Sequence, residues 1–172
     1  RPAGNTQGVI FQPTGVALPA FTVLSASLSM ANTDPGRKRF SVLIHDADFG
    51  DLSVCTFWLD GAAPARTYVM RTHTTRAWAN ATISIYAANV GVGGFYQLDN
   101  VSMFSGPLAP GSTEMTQCID PVAAPAGGSL GAELLVNGGF GGGTISPWGT
   151  FGNIQSQLTG GVFEFFKLAG LP

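Results

Sequence analysis

Apolar and polar positions alternate with a period of two along most of this chain. In FTVLSASLSM, Leu24, Ala26, Leu28 and Met30 fall on one face and serines on the other. In RFSVLI, Phe40, Val42 and Ile44 alternate with Arg39, Ser41 and Leu43. ATISIYA puts Ala81, Ile83, Ile85 and Ala87 together, and SVCTFWL is apolar on both faces in part, as in a strand inside a sandwich. GVFEFFKL is aromatic-rich and follows glycines. The turn signals DPG at 34–36, DGAAP at 60–64 and GVGG at 91–94 separate these runs. No amphipathic helix stands out. Many short strands punctuated by Gly and Pro predict an all-β sandwich, a jelly roll.

One stretch breaks the alternation. Residues 105–132 hold four prolines and no aromatic residue, the composition of a linker. Fully extended, such a stretch reaches about 90 Å. The chain therefore divides into residues 1–107, an incomplete sandwich, a Pro/Gly-rich linker over 108–132, and strand-forming residues 133–172.

The order of these parts is unusual. LVNGGF and SPW within 135–148, YQLDNVSMF at 96–104 and VIFQPTGVALPAFTVLSASLSM at 9–30 resemble three motifs of family 4/9-type carbohydrate-binding modules, which are galactose-binding-like jelly rolls. In that family the first motif opens the domain and YQLDNVSMF-like text closes it; here the close precedes the opening. Writing residues 133–172 before 1–107 restores the family order over about 150 residues, a usual domain size. Residues 1–107 alone lack their first strands, and residues 133–172 alone are too few to bury a core. A sandwich missing strands exposes open edges that invite pairing. The C-terminal segment either folds back on its own chain, enters the next subunit, or belongs to one period of a tandem array. A Pro/Gly linker between modules favours the last two; the second is strand complementation between chains, which propagates head-to-tail unless it closes into a ring, and both give a string of jelly rolls. Leu134, Leu135, Val136, Phe140, Val162, Phe163, Phe165 and Phe166 are the side chains expected to drive that joint.

Composition narrows the setting. Charged residues make up 10% of the 172 and the formal net charge is −2. This leaves no broad electrostatic footprint for nucleic acid or an anionic membrane. No apolar run is long enough to span a bilayer, and no leader-like start is present, so the chain reads as a mature or excised piece. A low-charge surface of small residues suits packed, repeated subunits. Cys55 and Cys118 are either two free thiols or one bridge; the secreted look of the rest favours the disulfide. The expected location is extracellular, at a cell surface.

Candidate chemistry is sparse. Sugar sites stack rings on exposed aromatics. Trp58, in CTFWL, reads as core and Trp148, in SPW, as core or rim, leaving Trp78 as the candidate platform. Asp46, Asp48 and Asp51 in HDADFGD are oxygen donors at short spacing, weak candidates for Ca²⁺ and otherwise a polar loop. The family resemblance implies a structural Ca²⁺ held by acids near the opening strand and the Asp of the closing one. Here NGGFGGG carries glycine in place of those acids, and only Asp99 remains. No cofactor is expected. NAT at 80–82 and NVS at 100–102 match the glycosylation sequon, with Asn80 the better acceptor and Asn100 expected to be buried. His45 and His73 have no Ser or Cys partner in a nucleophile motif, G-x-S-x-G and HExxH are absent, and Glu114, Glu133 and Glu164 are scattered. The chain is expected not to be an enzyme. The expected role is a structural subunit or tandem repeat of an extracellular filament, with copies of itself as partners. The alternative is a monomeric carbohydrate-binding module or an adhesin that binds glycans.

Overall fold

The computed structural model of the chain describes residues 8–90, 94–108, 115–121 and 131–167. Parts of the expected linker and both ends of the chain lie outside these residues. Among the described residues there is no helix. The strands are β1 (Val9–Pro13), β2 (Thr22–Asn32), β3 (Lys38–His45), β4 (Leu52–Leu59), β5 (Arg66–His73), β6 (Thr82–Ala87), β7 (Tyr96–Pro107), β8 (Gln117–Ile119), β9 (Gly149–Phe151), β10 (Ile154–Thr159) and β11 (Val162–Lys167). They form two antiparallel sheets, one of order β4-β3-β6-β1-β9 and one of order β10-β11-β7-β2-β5-β8.

The strand order is that of a jelly roll whose first strand lies at the C-terminal end of the chain. With β11 counted as strand one and β1 to β7 following it, the central sheets read 1-8-3-6 and 2-7-4-5. That is the pair of interlocked Greek keys of a jelly roll. Strands β8, β9 and β10 are added at sheet edges. Lys167, at the end of β11, is the register partner of Ile154. Gly8, just before β1, packs so closely on Ile154 that a side chain at position 8 would collide with it. The places where β11 stops and β1 starts are thus neighbours in space.

The alternation seen in the sequence is the alternation of burial. Leu24, Ala26, Leu28 and Met30 of β2, Phe40, Val42 and Ile44 of β3, and Ile83 and Ile85 of β6 all face the space between the sheets. Burying a large aliphatic or aromatic side chain contributes roughly 1.5–3 kcal/mol, so this interior is the main source of stability. Strand β4 differs from expectation. It is an edge strand, burying Cys55, Phe57 and Leu59 while Val54 and Trp58 point outward.

Part of the expected linker is structured. Gln117–Ile119 adds to β5 through Val69↔Ile119, Met70↔Cys118 and Arg71↔Gln117. Cys118 is bonded to Cys55 of β4, so one covalent bond joins the edges of both sheets. Replacing Cys118 by Ser is expected to lower the unfolding free energy by about 4 kcal/mol, from the loop-closure entropy of the 63-residue separation. Urea denaturation with and without reductant checks this: the wild type should fall to the variant's midpoint on reduction, and the variant should not respond.

Candidate functional site

Strand β7 is paired with β2 along nearly its whole length. Its other edge takes two separate stretches of the C-terminal segment. At Tyr96–Leu98 it pairs with Phe163–Phe165 of β11. Further along, residues 131–138 lie beside it: Leu134 N–H donates to Met103 O at 2.7 Å and Val101 N–H to Gly138 O at 2.8 Å. The backbones touch there. A side chain on Gly131 or Gly138 would collide with the carbonyl of Ser105 or Val101, so these two glycines are required by close approach. Without the segment, β7 would be an unpaired edge over an open core.

Of the residues expected to drive this joint, Leu134, Leu135, Phe140, Phe163 and Phe165 are buried. Phe163 stacks on Phe140 with centroids 5.3 Å apart, Phe140 tilts onto Trp148, and Phe165 stacks on Tyr96. Three expectations fail. Val136 is 63% exposed; the joint holds its backbone, not its side chain. Val162 and Phe166 are only half-buried, because the pleat of β11 turns them away once Phe163 and Phe165 face inward. Glu164 shares their outward face. Its carboxylate accepts hydrogen bonds from Gln97 Nε2 (3.0 Å), Gln157 Nε2 (2.6 Å) and Thr159 Oγ1 (3.0 Å). The Gln97 bond leads in holding the group below the usual carboxylate range, against the opposing effect of burial.

Two polar side chains set the register of residues 133–136. The buried Gln12 of β1 donates from Nε2 to Val136 O and accepts Val136 N–H at Oε1, both at 2.8 Å. Its amide thus imitates a strand neighbour. Glu133 Oε1 accepts Met103 N–H (2.8 Å) and Leu135 N–H (2.9 Å). Neither role was legible in the sequence, since Gln12 reads the backbone of Val136 and Glu133 that of Met103, both remote in the chain.

The acidic loop is closed on itself. Asp46 Oδ1 accepts from the backbone N–H groups of Ala47, Ala79 and Asn80. Asp48 takes Arg76 at 2.7 and 2.8 Å. Asp51 Oδ2 accepts Trp78 Nε1–H (2.7 Å) together with the N–H and hydroxyl of Thr75. Hydrogen-bond donors hold these oxygens and Arg76 supplies the positive charge, an arrangement that does not fit Ca²⁺. Asp99 is turned onto Asn100 of its own bulge. Among the described residues no group of three or more His, Cys, Asp or Glu side chains is placed to hold a metal. Trp78 is corrected by the same geometry: at 3% exposure it is a core residue anchored by Asp51, not a platform. Trp58, expected in the core, is 47% exposed with Arg37 over its ring at 4.6 Å. The sequon residues also change places. Asn80 is half-buried and accepts Gly15 N–H, whereas Asn100 is exposed.

The outer face of the five-stranded sheet carries an apolar groove that sequence reasoning missed. Its first cleft, of about 470 Å³, is lined by Val9, Phe11, Phe49, Tyr86 and Phe151 among others. A second, of about 510 Å³, adjoins it across Phe49 and Tyr86 and adds Leu43 and Val54. Phe151 is 68% exposed and Phe49 48%. In the first cleft lie His45 and Ser84, with His45 Nε2 2.8 Å from Ser84 Oγ and Nδ1 2.7 Å from Asp46 O.

Compared with family models, with curated proteins and with solved structures, this chain matches none.

Phe163→Ala should cost about 3–5 kcal/mol, the usual loss for a buried Phe, whereas Val136→Ala should stay within about 0.5 kcal/mol; chemical denaturation of both variants separates the two positions. Acid should also act through the loop. Burial opposes ionisation of Asp51, but the Trp78 and Thr75 hydrogen bonds more than offset it and hold the carboxyl below its usual value. A depressed carboxyl stabilises the fold above its unfolded pKa of about 3.9 and loses that contribution as pH falls through the folded value. Asp51→Asn should therefore lower stability by about 1–3 kcal/mol at neutral pH and show a shallower loss below pH 4, read from urea midpoints across that range.

Proposed function

We propose that this chain is a structural subunit or tandem repeat of an extracellular filament or cell-surface array. In this reading residues 131–167 of one copy fill the slot beside β7 of the next. The observation that carries it is the position of β11. The first strand of the jelly roll comes last in the chain, beyond a Pro/Gly-rich stretch, and pairs along the outer edge of β7, with β10 of the same segment outside it. Within the single chain the slot holds the chain's own segment. Every contact that fixes the segment, from the Phe140–Phe163 stack to the Gln12 clamp, is equally available to the same residues of a neighbouring copy. The closeness of Gly8 and Lys167 to Ile154 supports the reading further. A β11 followed directly by another copy's β1 would form an ordinary connection between consecutive jelly-roll strands. Donor and acceptor are different surfaces, so such a joint repeats head-to-tail and builds a filament unless its rotation closes a ring.

A second reading, a module that binds glycans, is favoured by the groove. Phe11, Phe49, Tyr86 and Phe151 present rings on one sheet face, the kind of surface on which sugar rings stack. It agrees with the resemblance of the motifs to carbohydrate-binding modules.

Electron microscopy of the intact protein and of a form lacking residues 131–172 separates the readings. Filaments that disappear on deletion and return when the separate segment is added support complementation between copies. Filaments that persist without the segment place assembly elsewhere. A monodisperse monomer for the intact chain overturns the polymer reading, and saccharide-dependent quenching of tryptophan fluorescence in that monomer favours the glycan module.

A further inference from the structure

We propose that Ser84 is a nucleophile activated by His45, and that the groove on the outer sheet face accepts an ester with an apolar acyl group. The two residues lie 39 positions apart and share no motif. They meet because β3 and β6 are neighbours: His45 pairs with Thr82 and Leu43 with Ser84, so both side chains project to the same face. The assignment of protons follows from the partners. Asp46 O is a carbonyl and can only accept, so His45 Nδ1 carries the hydrogen across the 2.7 Å contact. In the neutral ring Nε2 then holds a lone pair, and Ser84 Oγ–H donates to it at 2.8 Å. A hydroxyl on a base, with the base oriented by a third group, is the arrangement that activates a serine.

The surroundings favour the same chemistry. Both residues line the first cleft, each at only 2% exposure: Phe11 is the register partner of Ser84, and the Phe49 ring covers the imidazole at 3.9 Å, so an ester reaches Ser84 Oγ past Phe49. Phe49 holds that position with a φ of 57°, a conformation that is unusual for a bulky residue and is found near functional sites. Burial keeps the His45 ring neutral by lowering its pKa, against the opposing influence of the Asp46 carbonyl and carboxylate. The charged groups near it are Asp46 and, 3.4 Å from Asp46 Oδ2, Arg76.

In the reaction, Ser84 Oγ attacks the acyl carbon while its proton passes to His45 Nε2. The bond from that carbon to the leaving oxygen breaks, and the leaving alkoxide takes the proton from Nε2. The product is an acyl-serine, with His45 neutral again. The orienting group is an uncharged carbonyl and the cleft is apolar, so acylation without rapid turnover is the expected outcome.

The test treats the intact protein with an alkyl fluorophosphonate and with p-nitrophenyl butyrate, followed by intact mass and peptide mapping. The expected result is a single adduct on Ser84, release of about one equivalent of nitrophenol, and no adduct in Ser84→Ala. His45→Gln should slow labelling about 100-fold or more, in line with loss of a general base. The pH profile of labelling on the unaltered chain gives a readout that needs no variant: the rate should fall with acid as His45 is protonated, below the ordinary histidine value of about 6.5. Phe49→Ala keeps the pair and opens the cleft, and should label at least as fast as the wild type. Absence of a Ser84 adduct in both the wild type and Phe49→Ala overturns the proposal. So does a Ser84 labelling rate that responds neither to His45→Gln nor to pH.

Discussion

The outer edge of β7 has to be paired, and most of the architecture follows from that requirement. A strand whose backbone groups are satisfied on one side only, above a core of Met30, Leu98 and Met103, is both an unpaired edge and an opening into the interior. The C-terminal segment meets both needs at once. Its backbone completes the hydrogen bonds of β7 in two places, and Phe140, Trp148, Phe163 and Phe165 close the core behind it. Glycines at 131 and 138 permit the close approach, and the Gln12 amide and Glu133 carboxylate fix which residue lies opposite which. The polar contacts read backbone, so they specify register, while the aromatic contacts supply the energy.

The same arrangement accounts for the disulfide and for β8. A segment that arrives from the far end of the chain must be held near the sandwich it completes. The Cys55–Cys118 bond and the three-residue pairing of β8 with β5 hold Gln117–Ile119, on the way to that segment, against the β5 edge. They cover part of the β5 edge as well, leaving less exposed strand for unwanted pairing.

The two ends of the five-stranded sheet's outer face have different characters. At the loop end, Asp46, Asp48, Asp51, Arg76 and Trp78 form a closed polar network in which each carboxylate meets a donor. Such satisfaction makes the network a fixture of the fold. Beyond it the face is aromatic and open, with the His45–Ser84 pair where the two regions meet. The groove is lined by β1, β3, β6 and, through Phe151, by the C-terminal segment itself.

The alternation of Leu24, Ala26, Leu28 and Met30, the Ile83–Ile85 pair and the glycine-bounded aromatics of β11 made the all-β sandwich legible in advance, because a two-residue period has one burial solution in a sheet. The topology is that of a jelly roll whose first strand, β11, comes last in the chain. What the sequence did not disclose is everything that depends on register and strand neighbours. Val136 and Phe163 look alike in a list of apolar residues, yet the pleat and the Gln12 clamp expose one and bury the other. Trp58 and Trp78 exchanged their expected roles, because the edge position of β4 turns one outward and Asp51 anchors the other inside. The meeting of His45 with Ser84 arises only when β3 lies beside β6. Local periodicity determines which face of a strand is buried; which strands become neighbours is decided by the collective packing of the whole chain, and so the side chains that meet across them belong to the tertiary structure alone.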